Sequence, residues 1–205
     1  MMKKKWSVGI LLFDDVEVLD FAGPFEVFSV TTYPKQQVDT LESKPFLVKL
    51  VSETGNLVRA CNGLEVKPDY SFDNAPHFDI LVVPGGFGVR MKEIYNEKII
   101  QWISHRMKNV ELMTSVCTGA LLLAKAGLLN GKMATTHWAS YDRLENEFPA
   151  VIVKRKVKFV DAGNIVTSGG ISAGINMAFH IVKRLLGLEI AQTTAKMMEY
   201  DITIK

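Results

Sequence analysis

Residues 111–131 read ELMTSVCTGALLLAKAGLLNG. An apolar run, Leu112 to Val116, has the length of a buried strand, and it turns directly into a helix-length run, Gly119 to Ala126, that stops at Gly127. Cys117 stands at the corner. Ser115 and Gly119, two positions to either side, are small, as a chain folding sharply back on itself requires. The pattern is a nucleophile elbow with cysteine in place of serine. Such a corner holds the side chain above the sheet edge and points the first free N–H groups of the helix at it, which favours a thiolate and any oxyanion formed nearby. The competing reading is a small buried hydrophobe, the ordinary role of a free cysteine.

Outward from this corner, apolar runs of strand length alternate with amphipathic runs of helix length. Strands are predicted at Ser7–Phe13, Phe46–Ser52, Asp79–Val83, Val110–Val116 and Ile165–Ser168, with edge pieces at Leu57–Cys61, Leu64–Val66 and Met133–Thr135. Asn62-Gly63 signals a hairpin turn between two of these, and a further hairpin is predicted through Val151–Val160. Helices are predicted at Gly23–Val30, Ile94–Met107, Gly119–Ala126, Ser140–Glu147, Ile171–Leu186 and Glu189–Tyr200. In Ile171–Leu186, Ile175, Ala178, Phe179, Val182 and Leu186 recur at three- and four-residue steps, so that helix should lie flat on a sheet. The alternation predicts βαβ units: a three-layer α/β sandwich with a mostly parallel central sheet, built as one domain over residues 1–205.

In an open sheet of this kind ligands collect at the carboxyl ends of the strands. Cys117 lies at one such end, and three loops should join it: Asp14–Asp20, Pro84-Gly85-Gly86-Phe87-Gly88 and Ser168-Gly169-Gly170-Ile171-Ser172. Asp20, flanked by Leu19 and Phe21, is either a carboxyl with a raised pKa able to exchange a proton with the thiol or a cap for a helix beginning at Gly23-Pro24. Asp14, Asp15 and Glu17 read as solvated loop charges. Backbone N–H groups around Gly86 and Phe87, with that of Thr118, are candidates for an oxyanion hole. Thr118 also has a hydroxyl to offer substrate or water. His137 is the histidine nearest to a motif, as a base or as a packed ring beside Trp138, and Gly170 belongs to a loop closing against the pocket.

Composition narrows the classes. With 24 basic and 22 acidic residues interspersed and a net charge of +2, no nucleic-acid surface is indicated. No run approaches the roughly 18 apolar residues that span a bilayer. The basic start MMKKK and the short apolar run after it end at Asp14 and Asp15 without a cleavage site, so a first strand is expected there rather than a leader. Two cysteines and no CxxC pattern indicate neither a disulfide framework nor a zinc site, and a cytoplasmic location is expected.

The segments VGILLFDDVEVLDFAGPFEVF, DILVVPGGFG, SVCTGALLLAKAGLLNGKMATTHW and VTSGGISAGINMAFHIVKRLLG, in that order, resemble the ThiJ/PfpI superfamily, which shares the flavodoxin-like class I glutamine amidotransferase-like fold. The combination of LDFAGP with CTG and ATTHW is most similar to isonitrile hydratases and to the ligand domain of AraC-type regulators. The resemblance implies Cys117 as nucleophile, Asp20 as its hydrogen-bonding acid, Thr118 as the neighbouring threonine, and Gly86 and Thr118 as oxyanion donors. His137 matches a histidine on the dimer side of the pocket in other branches. Thr118 replaces the histidine of the intracellular-protease branch, which argues against peptidase activity. Five residues after Tyr200 leave no room for a helix-turn-helix pair, so no nucleic-acid partner is expected.

The function this implies is water addition to an isonitrile, giving an N-substituted formamide, with a small-molecule substrate and neither metal nor organic cofactor. The alternatives are a ligand-binding or redox-sensing module and glyoxalase- or deglycase-like action. A homodimer is expected, with Trp102 or Phe21 as candidates for its apolar face.

Overall fold

The computed structural model describes residues 4–33 and 44–204. In chain order the elements are β1 (Trp6–Leu12), α1 (Val18–Val30), β2 (Phe46–Ser52), β3 (Val58–Arg59), β4 (Glu65–Val66), β5 (Tyr70–Ser71), β6 (Ile80–Val83), α2 (Phe87–Met91), α3 (Glu97–Met107), β7 (Leu112–Ser115), α4 (Gly119–Lys125), β8 (Met133–Ala134), α5 (Tyr141–Glu147), β9 (Ile152–Val153), β10 (Phe159–Asp161), β11 (Ile165–Ser168), α6 (Ala173–Leu186) and α7 (Leu188–Met197). The seven-stranded sheet has the order β10-β11-β7-β6-β1-β2-β5. Every pair in it is parallel except β10 with β11. Helices α1, α6 and α7 cover one face, and α2, α3 and α4 the other. β6, β7 and β11 are buried at every position because both faces are covered, which is why they are continuous apolar or small-residue runs.

Because β1, β6, β7 and β11 run the same way, their carboxyl ends share one edge. The loops after them meet there, as the motif order predicts. The β3–β4 hairpin forms around Asn62-Gly63, both with positive φ (62° and 89°), but its loop is the three-residue 3₁₀ turn Cys61–Gly63, closed by the Ala60 N–H donating to the Leu64 carbonyl at 2.8 Å, rather than a two-residue turn.

Several elements differ from expectation for identifiable reasons. α1 starts at Val18, not Gly23, and carries Pro24 inside it, so Asp20 lies in its first turn rather than capping it. Gly23 lets Ile175 of α6 approach: a Cβ there would lie 2.8 Å from an Ile175 carbon. α3 begins at Glu97, where the Asn96 side chain accepts from the Lys98 N–H, and the preceding Glu93–Tyr95 turn is 3₁₀. α6 begins two residues late because Ile171 has φ of +51°, outside the helical region. No hairpin runs through Val151–Val160: β9 pairs parallel with β8, and β10 pairs antiparallel with β11. Phe21 is 6% exposed, and half-buried Trp102 stacks on Phe72 at 4.3 Å, so neither offers an open apolar face. Among the described residues no helix is long and apolar enough to cross a membrane.

Candidate active site

Cys117 follows β7 with φ of +56°, a left-handed value that a non-glycine residue adopts only under constraint. Three features impose it. Its N–H donates to the Gly169 carbonyl at 3.0 Å, its carbonyl accepts from the Thr136 hydroxyl at 2.7 Å, and Gly119 sits against β6 so tightly that a Cβ would collide with the Val83 carbonyl. The thiol is 7% exposed.

Asp20 comes to the same point from the first turn of α1 and is fully buried. Its two oxygens are held by different loops: the Gly85 N–H donates to one at 3.0 Å and the Ile171 N–H to the other at 3.1 Å. These bonds and one to the Cys117 thiol favour the carboxylate, but burial outweighs them, and with the nearby charge of Glu17 it pushes Asp20 up to about 7. Burial, followed by the charge of Asp20, also pushes the Cys117 thiol up, while the N–H groups of Thr118 and Ile171 pull the other way. The resting thiol, rather than the thiolate expected at such a corner, is what these surroundings favour while Asp20 is ionised. Two buried acids in contact cannot both ionise, so they titrate as a pair.

Thr118 is 2% exposed, and its hydroxyl accepts from the Gly86 N–H at 3.0 Å. The hydroxyl therefore tethers the Gly85-Gly86 segment, and the Gly86 N–H expected in an oxyanion hole is already bonded. Gly85 has no room for a side chain, since a Cβ would lie 2.5 Å from both the Thr118 nitrogen and its hydroxyl oxygen. The N–H groups of Thr118 and Ile171 lie close enough to the sulfur to favour its charged form, the latter while donating to Asp20.

A cavity of 190 Å³ opens over the thiol, lined by Glu17, Cys61, Gly86, Phe87, Arg90, Cys117, Thr118, His137 and Ile171. His137 reaches it from the segment after β8. Its Nδ1 accepts from the Ala139 N–H at 3.2 Å, which leaves Nε2 to carry the proton of the neutral ring. Burial first and the Arg90 charge second hold His137 below its ordinary pKa. Gly170 lies behind this ring, where a Cβ would strike it. Phe87 is half exposed at the cavity mouth. A larger cleft of 560 Å³, around Glu53, Glu93 and Asn96, contains none of these groups. Among the described residues no three His, Cys, Asp or Glu side chains gather as a metal site.

The structure thus brings together Cys117, Asp20, Thr118, Gly86, Phe87 and His137, with Gly170 as the support of His137. Three lining residues carry no signal of the site in the sequence: Glu17 reads as a solvated loop charge, Cys61 lies in a hairpin with no motif, and Arg90 sits on a five-residue helix too short to show a period. Ile171 falls in a loop expected at the site, but the direction of its N–H depends on a positive φ that isoleucine does not advertise.

Comparison with known proteins agrees with this architecture. The chain is 39% identical over 194 residues to an isonitrile hydratase of Pseudomonas putida, an alignment covering 95% of this chain and 78% of that protein. It is 28% identical over 196 residues to the HTH-type transcriptional regulator GbdR of Pseudomonas aeruginosa, covering 95% of this chain but only 51% of the regulator. A crystal structure of a ThiJ/PfpI family protein from Pseudomonas syringae superposes with a TM-score of 0.84 at 25% identity, over 98% of this chain and 77% of that one. The DJ-1/PfpI family model matches residues 6–184, and the chain belongs to that family.

Proposed function

We propose that this chain is a cysteine-dependent enzyme that adds water to small isonitriles, releasing N-substituted formamides. The observation that carries the reading is the Asp20–Cys117 pair: a fully buried carboxyl, pushed up to about 7 and electrostatically coupled to a thiol at the floor of a small cavity. The similarity to an isonitrile hydratase along 95% of the chain supports the choice of substrate class.

In this reading the Cys117 thiol passes its proton to Asp20 as the sulfur adds to the terminal isonitrile carbon. Asp20 returns that proton to the same carbon, giving a thioformimidate, R–N=CH–S–Cys117. Water then adds to the C=N carbon, with Asp20 taking a water proton and delivering it to nitrogen. The C–S bond breaks, the remaining hydroxyl proton returns to sulfur, and R–NH–CHO leaves. One water is consumed, and the thiol and carboxylate are regenerated. The N–H groups of Thr118 and Ile171 stabilise negative charge on sulfur in both halves. Thr118 holds the Gly86 loop in place through its hydroxyl.

The test is formamide production from a simple alkyl isonitrile, followed by proton NMR for wild type and Cys117→Ala. Wild type should form product, and the variant should fall to the uncatalysed rate. Equal rates would end the proposal. A binding-module reading draws on the similarity to one half of a transcriptional regulator; it expects an unreactive ligand to bind and no turnover.

A further inference from the structure

The cavity over Cys117 contains a cation that the reaction above does not use. Of the six arginines, four place the guanidinium on acceptors: Arg106 on the carbonyls of Ala75 and Pro76, Arg143 on Glu147, Arg155 on Asp142 and Glu145, and Arg184 on Asp161. Arg59 and Arg90 have no such acceptor among the described residues, and of these only Arg90 lines the cavity. Glu17, the carboxylate on the same cavity wall, makes no ion pair with it. The Arg90 main chain is anchored, and its guanidinium leans toward an aromatic ring. Arg143 Nη1 donates to its carbonyl at 3.2 Å, and its guanidinium lies 5.7 Å from the centre of the Phe87 ring.

A second donor faces the same space. His137 also lines the cavity, its Nδ1 is engaged by the Ala139 N–H, and its Nε2–H is left for a ligand. The Arg90 charge helps to keep that ring neutral, so the two groups form a guanidinium beside a neutral N–H donor. On the other side Glu17 adds its negative field to Asp20. An anion entering the cavity is therefore repelled from the α1 side and drawn to the α2 side. Depth orders the rest: Cys117 is 7% exposed at the floor, and Arg90 is exposed at the mouth.

We propose that Arg90, with His137 Nε2–H, binds a carboxylate on the substrate, so that the isonitriles this protein prefers carry an acid group at the end remote from the reacting carbon. The assignment rests on the hydratase reading for the word isonitrile, but not for the carboxylate. A planar guanidinium at the mouth suits a carboxylate because it presents paired donors to paired oxygens.

Two measurements test it. The first compares kcat/KM for an isocyano-carboxylic acid and for its primary amide of equal length, in wild type and Arg90→Gln. Wild type should favour the acid by about tenfold or more, the loss expected when a charge-assisted hydrogen bond is removed. In Arg90→Gln the ratio should fall to near one. No preference in wild type, or a preference kept by the variant, overturns the assignment. The second needs no turnover: propionate, but not propionamide, should slow alkylation of Cys117 by neutral iodoacetamide in wild type, and the protection should vanish in Arg90→Gln. Arg90-dependent protection without hydration of any isonitrile would refute the hydratase reading and leave the carboxylate site standing. Hydration with neither acid preference nor protection would do the reverse.

Discussion

Asp20 and Cys117 are one ionising unit, and the sign of its effect on stability follows from burial. A carboxyl raised from 3.8 to about 7 in the folded chain holds its proton better there than when unfolded. Its contribution is complete below pH 4 and is lost as pH rises through 7, by about 4 kcal/mol in all. Glu53, Asp79 and Asp161 are shifted downward, so their contributions run the other way and are lost in acid. Asp20→Asn should therefore remove a decline in stability between pH 4 and 7 that wild type shows, read by urea unfolding across that range. A fixed offset from unequal hydrogen bonding to Gly85 and Ile171 is expected at every pH, and only the slope difference counts. The same variant removes the negative neighbour of the thiol. Its Cys117 alkylation midpoint should move to lower pH than in wild type, measured as iodoacetamide labelling rate against pH. At this scale the sequence showed which residues would meet, because each belonged to a strand-end motif. It did not show that the Gly86 N–H is committed to Thr118 or that the Ile171 N–H reaches Asp20, since the first is a tertiary hydrogen bond and the second depends on a positive φ that isoleucine does not announce.

Two glycines separate space from backbone conformation as the limiting factor at element junctions. Gly119 opens α4 with an unremarkable φ, yet a Cβ would collide with the Val83 carbonyl and stand 2.8 Å from that of Pro84. Gly119→Ala should cost at least about 1–3 kcal/mol, as overpacking does, and should lower Cys117 reactivity because the corner must shift. Gly131 has open space around it but φ of +71°. Gly131→Ala should cost about 1–2 kcal/mol from left-handed strain alone, with Cys117 alkylation unchanged. Urea denaturation of both variants together with the alkylation rate checks the pair. Long elements were legible: β1, β2 and α6 announce themselves by continuous apolar runs or a clean helical period. The start of α1 was not, because Gly23-Pro24 reads as a helix beginning, whereas the structure carries Pro24 inside the helix and leaves Asp20 free to turn inward. The β10–β11 pairing was also hidden, since short edge strands carry too few residues to show an alternation.

At the level of the whole molecule, parallel order places the site. β1, β6 and β7 are consecutive in the sheet and β11 is next to β7, so loops from residues 14–20, 84–88, 117–119 and 168–172 converge although they are scattered along the chain. The fold class and this convergence were readable from alternation alone; the strand order was not, because periodicity does not record which strands are neighbours. What the converged loops bring together is a buried acid and a buried thiol under a small cavity. The most direct test is a double-mutant comparison of isonitrile hydration, with kcat/KM measured for wild type, Asp20→Asn, Cys117→Ala and the double variant, each confirmed folded. If the two groups act as one unit, Cys117→Ala should abolish catalysis and the added Asp20→Asn should cost nothing more. Hydration by Cys117→Ala at an appreciable rate, with a further multiplicative loss on adding Asp20→Asn, would contradict it.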